Sequence, residues 1–255
     1  MALLSVRGIS KRFGGLQALN DVSFDVKQGS IAGLIGPNGA GKTTLFNIIS
    51  GLEHVEPDGG EIHFEDKSIT GLAPHEVAAL GIGRTFQILR GYSKLTVLEN
   101  VMMGRHVRMK SRIIDCLFHT PLARREEKET EHRAREALGF VNLEAQANWL
   151  LSQLPHGQQR LVSLAQVVVQ EPKLILLDEP AAGLNPLEVE MFQKMLRAVN
   201  EQGVTLLVVE HNVRMVMGMC EAVMVLDFGQ KIAEGPPQEI SKDPTVIEAY
   251  LGKGA

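Results

Sequence analysis

The sequence predicts an α/β protein in which helices cover a mainly parallel sheet, with an N-terminal antiparallel β subdomain and an inserted helical subdomain. Three observations predict this architecture. The first forty residues are rich in short β-type stretches, apolar runs alternate with helical stretches after residue 170, and helical patterning dominates between these parts. We therefore expect the α/β core and its β subdomain at about 1–96 and 170–255, and the helical subdomain at about 97–169.

Local patterning justifies the elements in order. The predicted strands are β-branched or apolar runs bounded by glycine or polar residues, and they occupy 3–10, 21–29, 30–36, a pair within 60–69, 173–178, 204–210 and 222–230. Outside the helical subdomain, the predicted helices occupy 37–52, 74–80, 186–203 and 212–221. Because strands and helices alternate after residue 170, we expect parallel strands joined by helices.

The bulk composition is typical of a soluble globular protein. Hydrophobic residues make up 44% of the 255 residues, charged residues make up 22%, and the formal net charge is −4. The chain lacks the basic surplus that nucleic-acid-binding proteins usually have, so we expect no nucleic-acid partner. No apolar stretch is long enough to span a bilayer and no signal peptide is recognisable, so a place at a membrane would depend on a partner.

Residues 36–43, GPNGAGKT, match the phosphate-binding pattern G-x-x-x-x-G-K-[ST] between a predicted strand and a predicted helix. The glycines let backbone N–H groups turn towards phosphate oxygens, and the helix N-terminus adds its positive dipole end. Lys42 is expected to reach the β- and γ-phosphates, Thr43 to ligate Mg²⁺, and Thr44 to bind the α-phosphate. The nucleotide-binding residues predicted in this loop are Gly36, Pro37, Asn38, Gly39, Ala40, Gly41, Lys42, Thr43 and Thr44. A chance glycine-rich turn is the alternative, and the flanking elements disfavour it.

Asp178 and Glu179 end the apolar run LILLDE. Since ligands collect at the carboxyl ends of parallel strands, we expect this pair beside the phosphate loop. Asp178 is expected to hold Mg²⁺ through water, and Glu179 to polarise the attacking water as a general base. Neighbouring carboxylates raise each other's pKa, a cost that a nearby cation removes. A helix-capping pair is the alternative.

Together these motifs resemble those of the ATP-binding subunits of ABC transporters, and the resemblance covers essentially the whole chain. It implies that Phe13, in KRFGG, stacks on adenine, although a core phenylalanine is an equal alternative. Gln87, in GRTFQ, matches the glutamine that senses Mg²⁺ and the γ-phosphate and meets the membrane partner. His211, in VVEH, matches the histidine that contacts the γ-phosphate, and residues 183–185 match the loop that faces a second subunit.

The stretch LPHGQQR occupies the place of the family's Leu-Ser-Gly-Gly-Gln signature, which closes over the ATP held by a second subunit. Leu154, Gly157 and Gln158 match this signature, whereas Pro155 and His156 depart from it. The apolar spacing that follows predicts a helix starting here, with Pro155 tolerated at its first position. We expect a working signature with altered contacts, in which His156 replaces the missing serine as a donor. An inactive composite site is the rival interpretation.

Several stretches are similar to the ATP-binding subunits of branched-chain amino-acid importers, among them GIGRTFQ, LTVLENV, EPAAGLNP and DPTVIEAYLG. This resemblance implies a peripheral ATPase on the cytoplasmic face of the bacterial inner membrane. It also implies two membrane permease subunits, a second and different ATP-binding subunit, and a periplasmic binding protein that acts indirectly. Importers of urea or short amides and the lipopolysaccharide exporter stay open as alternatives, because the solute is not encoded in this chain.

A soluble ABC-type ATPase in DNA repair or translation is a hypothesis from another class. Repair members carry long coiled-coil insertions and translation members carry two ATPase halves, whereas this chain has one set of motifs and a modest insert. A nucleotide-regulated binding module without turnover is the third hypothesis. Glu179 and His211 disfavour it, and Pro155 keeps it open.

Overall fold

The computed structural model describes residues 1–85, 92–108, 115 and 120–251. Within these ranges the chain divides into two compact units. The first contains residues 1–84 and the chain from residue 173 onward, and the second lies within residues 85–172.

The strands and helices of the described residues follow in chain order. The strands are β1 (Ala2–Phe13), β2 (Leu16–Lys27), β3 (Ile31–Ile35), β4 (Glu61–Phe64), β5 (Lys67–Ser68), β6 (Ile82–Arg84), β7 (Leu174–Asp178), β8 (Thr205–Val209), β9 (Ala222–Asp227) and β10 (Gln230–Gly235). The helices are α1 (Lys42–Ile49), α2 (Pro74–Leu80), α3 (Val97–Gly104), α4 (Pro121–Phe140), α5 (His156–Val168), α6 (Pro186–Glu201), α7 (Val213–Met219), α8 (Pro237–Ile240) and α9 (Pro244–Leu251). Short 3₁₀ turns occupy Arg105–Arg108, Glu144–Gln146 and Leu151–Gln153.

An antiparallel sheet opens the first unit, with the described strands in the order β2-β1-β4-β5. Val6 of β1 lies between Phe24 of β2 and Ile62 of β4, so these buried side chains share one face. The turn from β4 to β5 places Glu65 and Asp66 in the left-handed region, with φ of 48° and 61°. Two successive positive φ angles are the geometry of a type I′ turn, which joins twisted antiparallel strands tightly.

A second sheet carries the parallel strands, in the described order β10-β9-β3-β8-β7-β6. Every residue of β3, β7 and β8 is buried, as expected for parallel strands that are covered on both faces. The pairing aligns Leu34 with Val209, and Val209 with Asp178. The carboxyl ends of these three strands therefore meet at one edge of the sheet.

The described part of the second unit is helical, and α3, α4 and α5 pack together. Thr96 caps α3, because its hydroxyl accepts the Glu99 N–H while the Glu99 carboxylate accepts the Thr96 N–H. A methyl group at Gly104 would lie 2.0 Å from the Gln166 carbonyl oxygen, so glycine permits the close approach of α3 and α5. Among the described residues, none of the helices combines the length and the apolar composition needed to cross a membrane.

This architecture confirms the predicted α/β fold class with its antiparallel β subdomain and its inserted helical part. Two strands were absent from the prediction. The three-residue β6 is too short to show a period, and β10 is an edge strand whose residues are mostly partly exposed. One detail is wrong: α5 begins at His156, and Pro155 is its N-cap rather than its first helical residue.

Candidate nucleotide-binding site

The loop from Gly36 to Gly41 joins β3 to α1 at the carboxyl edge of the parallel sheet. Gly36 and Gly41 have φ angles of 153° and 98°. A methyl group at Gly36 would lie 2.1 Å from the Leu226 carbonyl oxygen, and one at Gly41 would lie 2.6 Å from the Ala18 carbonyl oxygen. Only glycine fits at either position, which lets the loop lie close to its neighbours.

Helix α1 has an uncapped N-terminus. Its N-cap is Gly41, no side chain accepts a hydrogen bond there, and the first turn carries no acidic residue. The first N–H groups of a helix lack partners within the helix and carry partial positive charge. Those of Lys42, Thr43 and Thr44 are therefore available for an anion.

The ammonium group of Lys42 lies within the loop. Its Nζ donates to the carbonyl oxygens of Gly36 and Pro37, at 2.8 Å each, and the residue is buried. Burial lowers the pKa of Lys42, and the negative charges of Glu179 and Asp178 oppose that shift. Lys42 is thus a cation held by weak neutral acceptors, next to which phosphate oxygens would bind more strongly.

Asp178 ends β7 as a buried carboxylate with a buried partner. Arg84 Nη2 donates to Asp178 Oδ2 at 3.0 Å, and the exposed fractions of the two side chains are 8% and 4%. Arg84 Nη1 also donates to Asn47 Oδ1 and Ser50 Oγ, which ties β6 to α1 and β7. Asp178 Oδ1 is buried and has no hydrogen-bond partner in the described part of the chain. One oxygen of this carboxylate is thus fixed and the other is free for a ligand.

Glu179 and His211 meet across neighbouring strand ends. His211 Nε2 donates to Glu179 Oε1 at 2.6 Å, and the imidazole is more exposed than the carboxylate. Glu179 has a φ of 47°, an uncommon conformation for a residue with a side chain. Its N–H donates to the Val209 carbonyl at 2.9 Å, which extends the pairing of β7 with β8 by one residue. A carboxylate and a histidine therefore face the same cavity.

The sequence prediction missed two residues, Glu210 and Arg84, that hydrogen-bond to the residues of this site or to the loops that carry them. Glu210 is buried, and its two carboxylate oxygens accept backbone N–H groups from Ala181, His211 and Asn212. Burial raises the pKa of Glu210, and these hydrogen bonds oppose that shift. In the sequence, both residues are charged side chains next to short apolar runs that enter the sheet. A charged residue at such a position is expected to have a buried hydrogen-bond partner, and this pattern could have identified both residues from the sequence.

The phosphate loop, Glu179 and His211 line one cavity of about 320 Å³. The cavity is also lined by Phe13, Leu16, Gln17 and Ala18. Phe13 is 46% exposed, which rules out the alternative that it is a core phenylalanine. The ammonium group of Lys11 lies 5.1 Å from the centre of its ring. The cavity is thus lined by an aromatic ring as well as by the phosphate loop.

The remaining predicted positions lie elsewhere. Gln87 lies outside the described residues. In the second unit, Leu154 is buried, Pro155 and His156 are exposed, and Gly157 and Gln158 lie in the first turn of α5. The N-terminus of α5 has no side-chain cap and no acidic residue in its first turn.

The segment after Glu179 leads into α6. Gly183 has a φ of 79°, and Asn185 Oδ1 accepts the N–H groups of Leu187 and Glu188 as the N-cap of α6. The side chain of Asn185 is thus already engaged in capping, and Gly183 and Leu184 form the turn before it.

The fold and the cavity define a P-loop protein that binds a nucleoside triphosphate and hydrolyses it. The family model described as ABC transporter matches residues 19–182, and the chain belongs to that family. A second family model, described as branched-chain amino acid ATP-binding cassette transporter, matches residues 230–255. The chain is an ATP-binding and ATP-hydrolysing subunit of an ABC transporter, and such subunits act with membrane permease subunits.

Curated relatives match along the whole chain. The chain is 40% identical to the high-affinity branched-chain amino acid transport ATP-binding protein LivG of Salmonella typhimurium, over 98% of each chain. It is 34% identical to the lipopolysaccharide export system ATP-binding protein LptB of Acidithiobacillus ferridurans, over 98% of this chain and 97% of the relative.

Solved structures have the same fold. The ADP conformation of MJ1267, an ATP-binding cassette of an ABC transporter, superimposes with a TM-score of 0.86 and 34% identity, over 99% of this chain and all of the other. A dimeric structure of the ATP-binding cassette MJ0796 bound to ADP and Pi superimposes with a TM-score of 0.76 and 27% identity, over 92% and 98% of the two chains.

Proposed function

We propose that this chain powers the import of branched-chain amino acids. The observation that carries the proposal is the match of residues 230–255 to the family model described for branched-chain amino-acid transport. The 40% identity to LivG along nearly all of both chains supports it. The cavity itself holds the nucleotide, so the choice of solute belongs to other subunits.

In this proposal the chain works within a five-part transporter. Two membrane permease subunits, a second and different ATP-binding subunit and a periplasmic binding protein complete the assembly, and the chain lies on the cytoplasmic face of the inner membrane. The name of LivG supports the substrate, and the dimeric MJ0796 structure supports the pairing of two ATP-binding subunits.

ATP enters the cavity with its adenine against Phe13 and its phosphates at the loop from Gly36 to Thr44. Lys42 and the first N–H groups of α1 neutralise the phosphates. Glu179 accepts a proton from the attacking water, and His211 positions Glu179 and contacts the γ-phosphate. The hydrogen bond of 2.6 Å between these two side chains supports this division of roles.

The residues present fit Mg²⁺. The Thr43 hydroxyl and the unpartnered Asp178 Oδ1 are hard oxygen donors, which this ion prefers. In the described part of the chain no group of three His, Cys, Asp or Glu side chains could hold a metal, so phosphates and water would complete the ligand set. We assign Thr43 and Asp178 to Mg²⁺, with Gln87 as a third ligand by resemblance. When bound, the ion stabilises negative charge on the β- and γ-phosphates.

The signature at Leu154–Gln158 would complete the ATP site of the second ATP-binding subunit. ATP held between two subunits favours the closed dimer, because it binds that state more tightly. Hydrolysis removes the γ-phosphate link and lets the dimer reopen. The closing and reopening of the dimer would move the permease subunits.

A transport assay tests the proposal. A strain that lacks this chain is expected to lose uptake of labelled leucine, and the intact chain is expected to restore it. The Glu179→Gln variant is expected to bind ATP without restoring uptake, since an amide cannot act as the base. Undiminished leucine uptake in the deleted strain would contradict the substrate proposal.

A second candidate is lipopolysaccharide export, which the 34% identity to LptB supports. The same deleted strain separates the two candidates. Loss of lipopolysaccharide from the cell surface with normal leucine uptake would favour the exporter. Loss of urea or amide uptake alone would favour the related importers.

A further inference from the structure

Glu210 lies at the end of β8, between the strand and the loop that carries His211. It is only 3% exposed, although ionisable side chains are seldom fully buried. Glu210 has no role in the hydrolysis mechanism proposed above. A carboxylate kept in such a place needs several hydrogen bonds to offset its lost hydration.

Both oxygens of Glu210 are engaged, and they point to different loops. Oε1 accepts the Ala181 N–H at 2.6 Å, in the segment that follows Glu179. Oε2 accepts the N–H groups of His211 and Asn212 at 3.2 and 3.3 Å. A single side chain therefore joins the loop of the general base to the loop of the histidine.

The loop of Glu179 needs such support. Its φ of 47° is a strained conformation for a residue with a side chain, and it persists only where neighbouring contacts enforce it. The backbone bonds from Glu179 N to Val209 O and from Ala182 N to Glu179 O hold one side. The hydrogen bond from the Ala181 N–H to Glu210 Oε1 holds the same turn.

The loop of His211 is anchored in the same way. Asn212 caps α7, since its Oδ1 accepts the Met215 N–H at 3.1 Å. Glu210 accepts the N–H groups of His211 and Asn212, immediately before this cap. The backbone of His211 is thus held between Glu210 and the start of α7.

We propose that Glu210 is a positioning residue for ATP hydrolysis, which clamps the backbones of the two loops so that Glu179 and His211 stay in hydrogen-bond contact. This inference rests on the proposed roles of Glu179 and His211. Glu210 is not among the residues that line the cavity.

The sharpest variant is Glu210→Gln. Glutamine keeps the size of the side chain but replaces one acceptor oxygen with an NH₂ group. That group must face either the Ala181 N–H or the N–H groups of His211 and Asn212, so one arm of the clamp is lost. Glu221→Gln is the matched control, because Glu221 also accepts a backbone N–H, that of Ile31, but at the opposite end of the sheet.

The experiment uses the transporter purified with its membrane subunits through a tag on this chain. For Glu210→Gln we expect kcat to fall on the order of tenfold to a hundredfold, as for a small misplacement of catalytic groups. ATP affinity should stay within about threefold, because the phosphate loop is untouched. Glu221→Gln should leave kcat and ATP affinity unchanged. A merely structural role would reduce ATP affinity and thermal stability together with kcat.

Two further measurements keep the outcome decisive. Glu179→Gln in the same assay tests the proposed base: full turnover in that variant would remove the proposed roles, and with them this inference. If Glu179→Gln is inactive while Glu210→Gln keeps normal kcat, the positioning role alone is wrong. If Glu210→Gln fails to fold, amide hydrogen exchange in the unaltered chain tests the clamp instead. The Ala181, His211 and Asn212 amides should be protected, and rapid exchange at all three would overturn the clamp.

Discussion

His211 Nε2 lies 2.6 Å from Glu179 Oε1, and each residue follows the carboxyl end of a neighbouring parallel strand. The register of β7 and β8 fixes this meeting, since Asp178 pairs with Val209 and one residue separates Val209 from His211. Two side chains that are 32 residues apart in the sequence are thereby brought into contact.

His211→Ala is expected to lower kcat about tenfold to a hundredfold, because a hydrogen bond to a charged group contributes about 1.5–3 kcal/mol. Steady-state ATP hydrolysis measures this. His63→Ala is the matched control, since His63 also lies near a glutamate, at 3.8 Å from Glu61, but outside the cavity. Equal losses in the two variants would contradict a specific role for His211.

Arg84→Met is expected to destabilise the protein by about 3–5 kcal/mol, because it leaves the buried charge of Asp178 without its partner. Arg135→Met removes a comparable but exposed pair with Glu131 and should cost at most about 1 kcal/mol. Urea unfolding of both variants checks the difference. Similar losses for the buried and the exposed pair would show that Arg84 does not hold Asp178.

Pro155→Ser combined with His156→Gly restores the family signature and is expected to raise ATP turnover of the intact transporter by about tenfold or more. A serine hydroxyl at the N-cap of α5 adds a donor for phosphate, worth about 1.5–3 kcal/mol when the acceptor is charged. The comparison is the turnover of the unaltered transporter at saturating ATP. An unchanged rate would remove the idea that Pro155 and His156 slow the site they complete.

Cys220 is expected to resist alkylation in the folded chain at pH 9, because burial raises the pKa of its thiol to about 12. The folded state retains this proton while the unfolded state loses it, so this group's contribution to stability falls as the pH rises from about 9 to 12. Mass spectrometry of iodoacetamide-treated peptides, with and without urea, measures the labelling. Equal labelling rates in both conditions would contradict the burial of Cys220.

Most of the fold and much of the site were predictable from local sequence. The phosphate loop and the run ending in Asp178 are short motifs whose glycines and apolar residues have few structural alternatives. Arg84 and Glu210 were not predictable in their roles, because their partners lie 94 and 29 residues away and depend on strand order. The exact start of α5 was missed because Pro155 is compatible with both the N-cap and the first helical position.

Calorimetry of Mg·ATP binding to the folded chain and to Lys42→Ala tests the central claim most directly. We expect the unaltered chain to bind ATP and Lys42→Ala to lose at least about a hundredfold in affinity, because Lys42 supplies a buried charge to the phosphates. Lys27→Ala, an exposed lysine outside the cavity, should bind ATP normally. Absent binding by the unaltered chain, or equal binding by Lys42→Ala, would contradict the account.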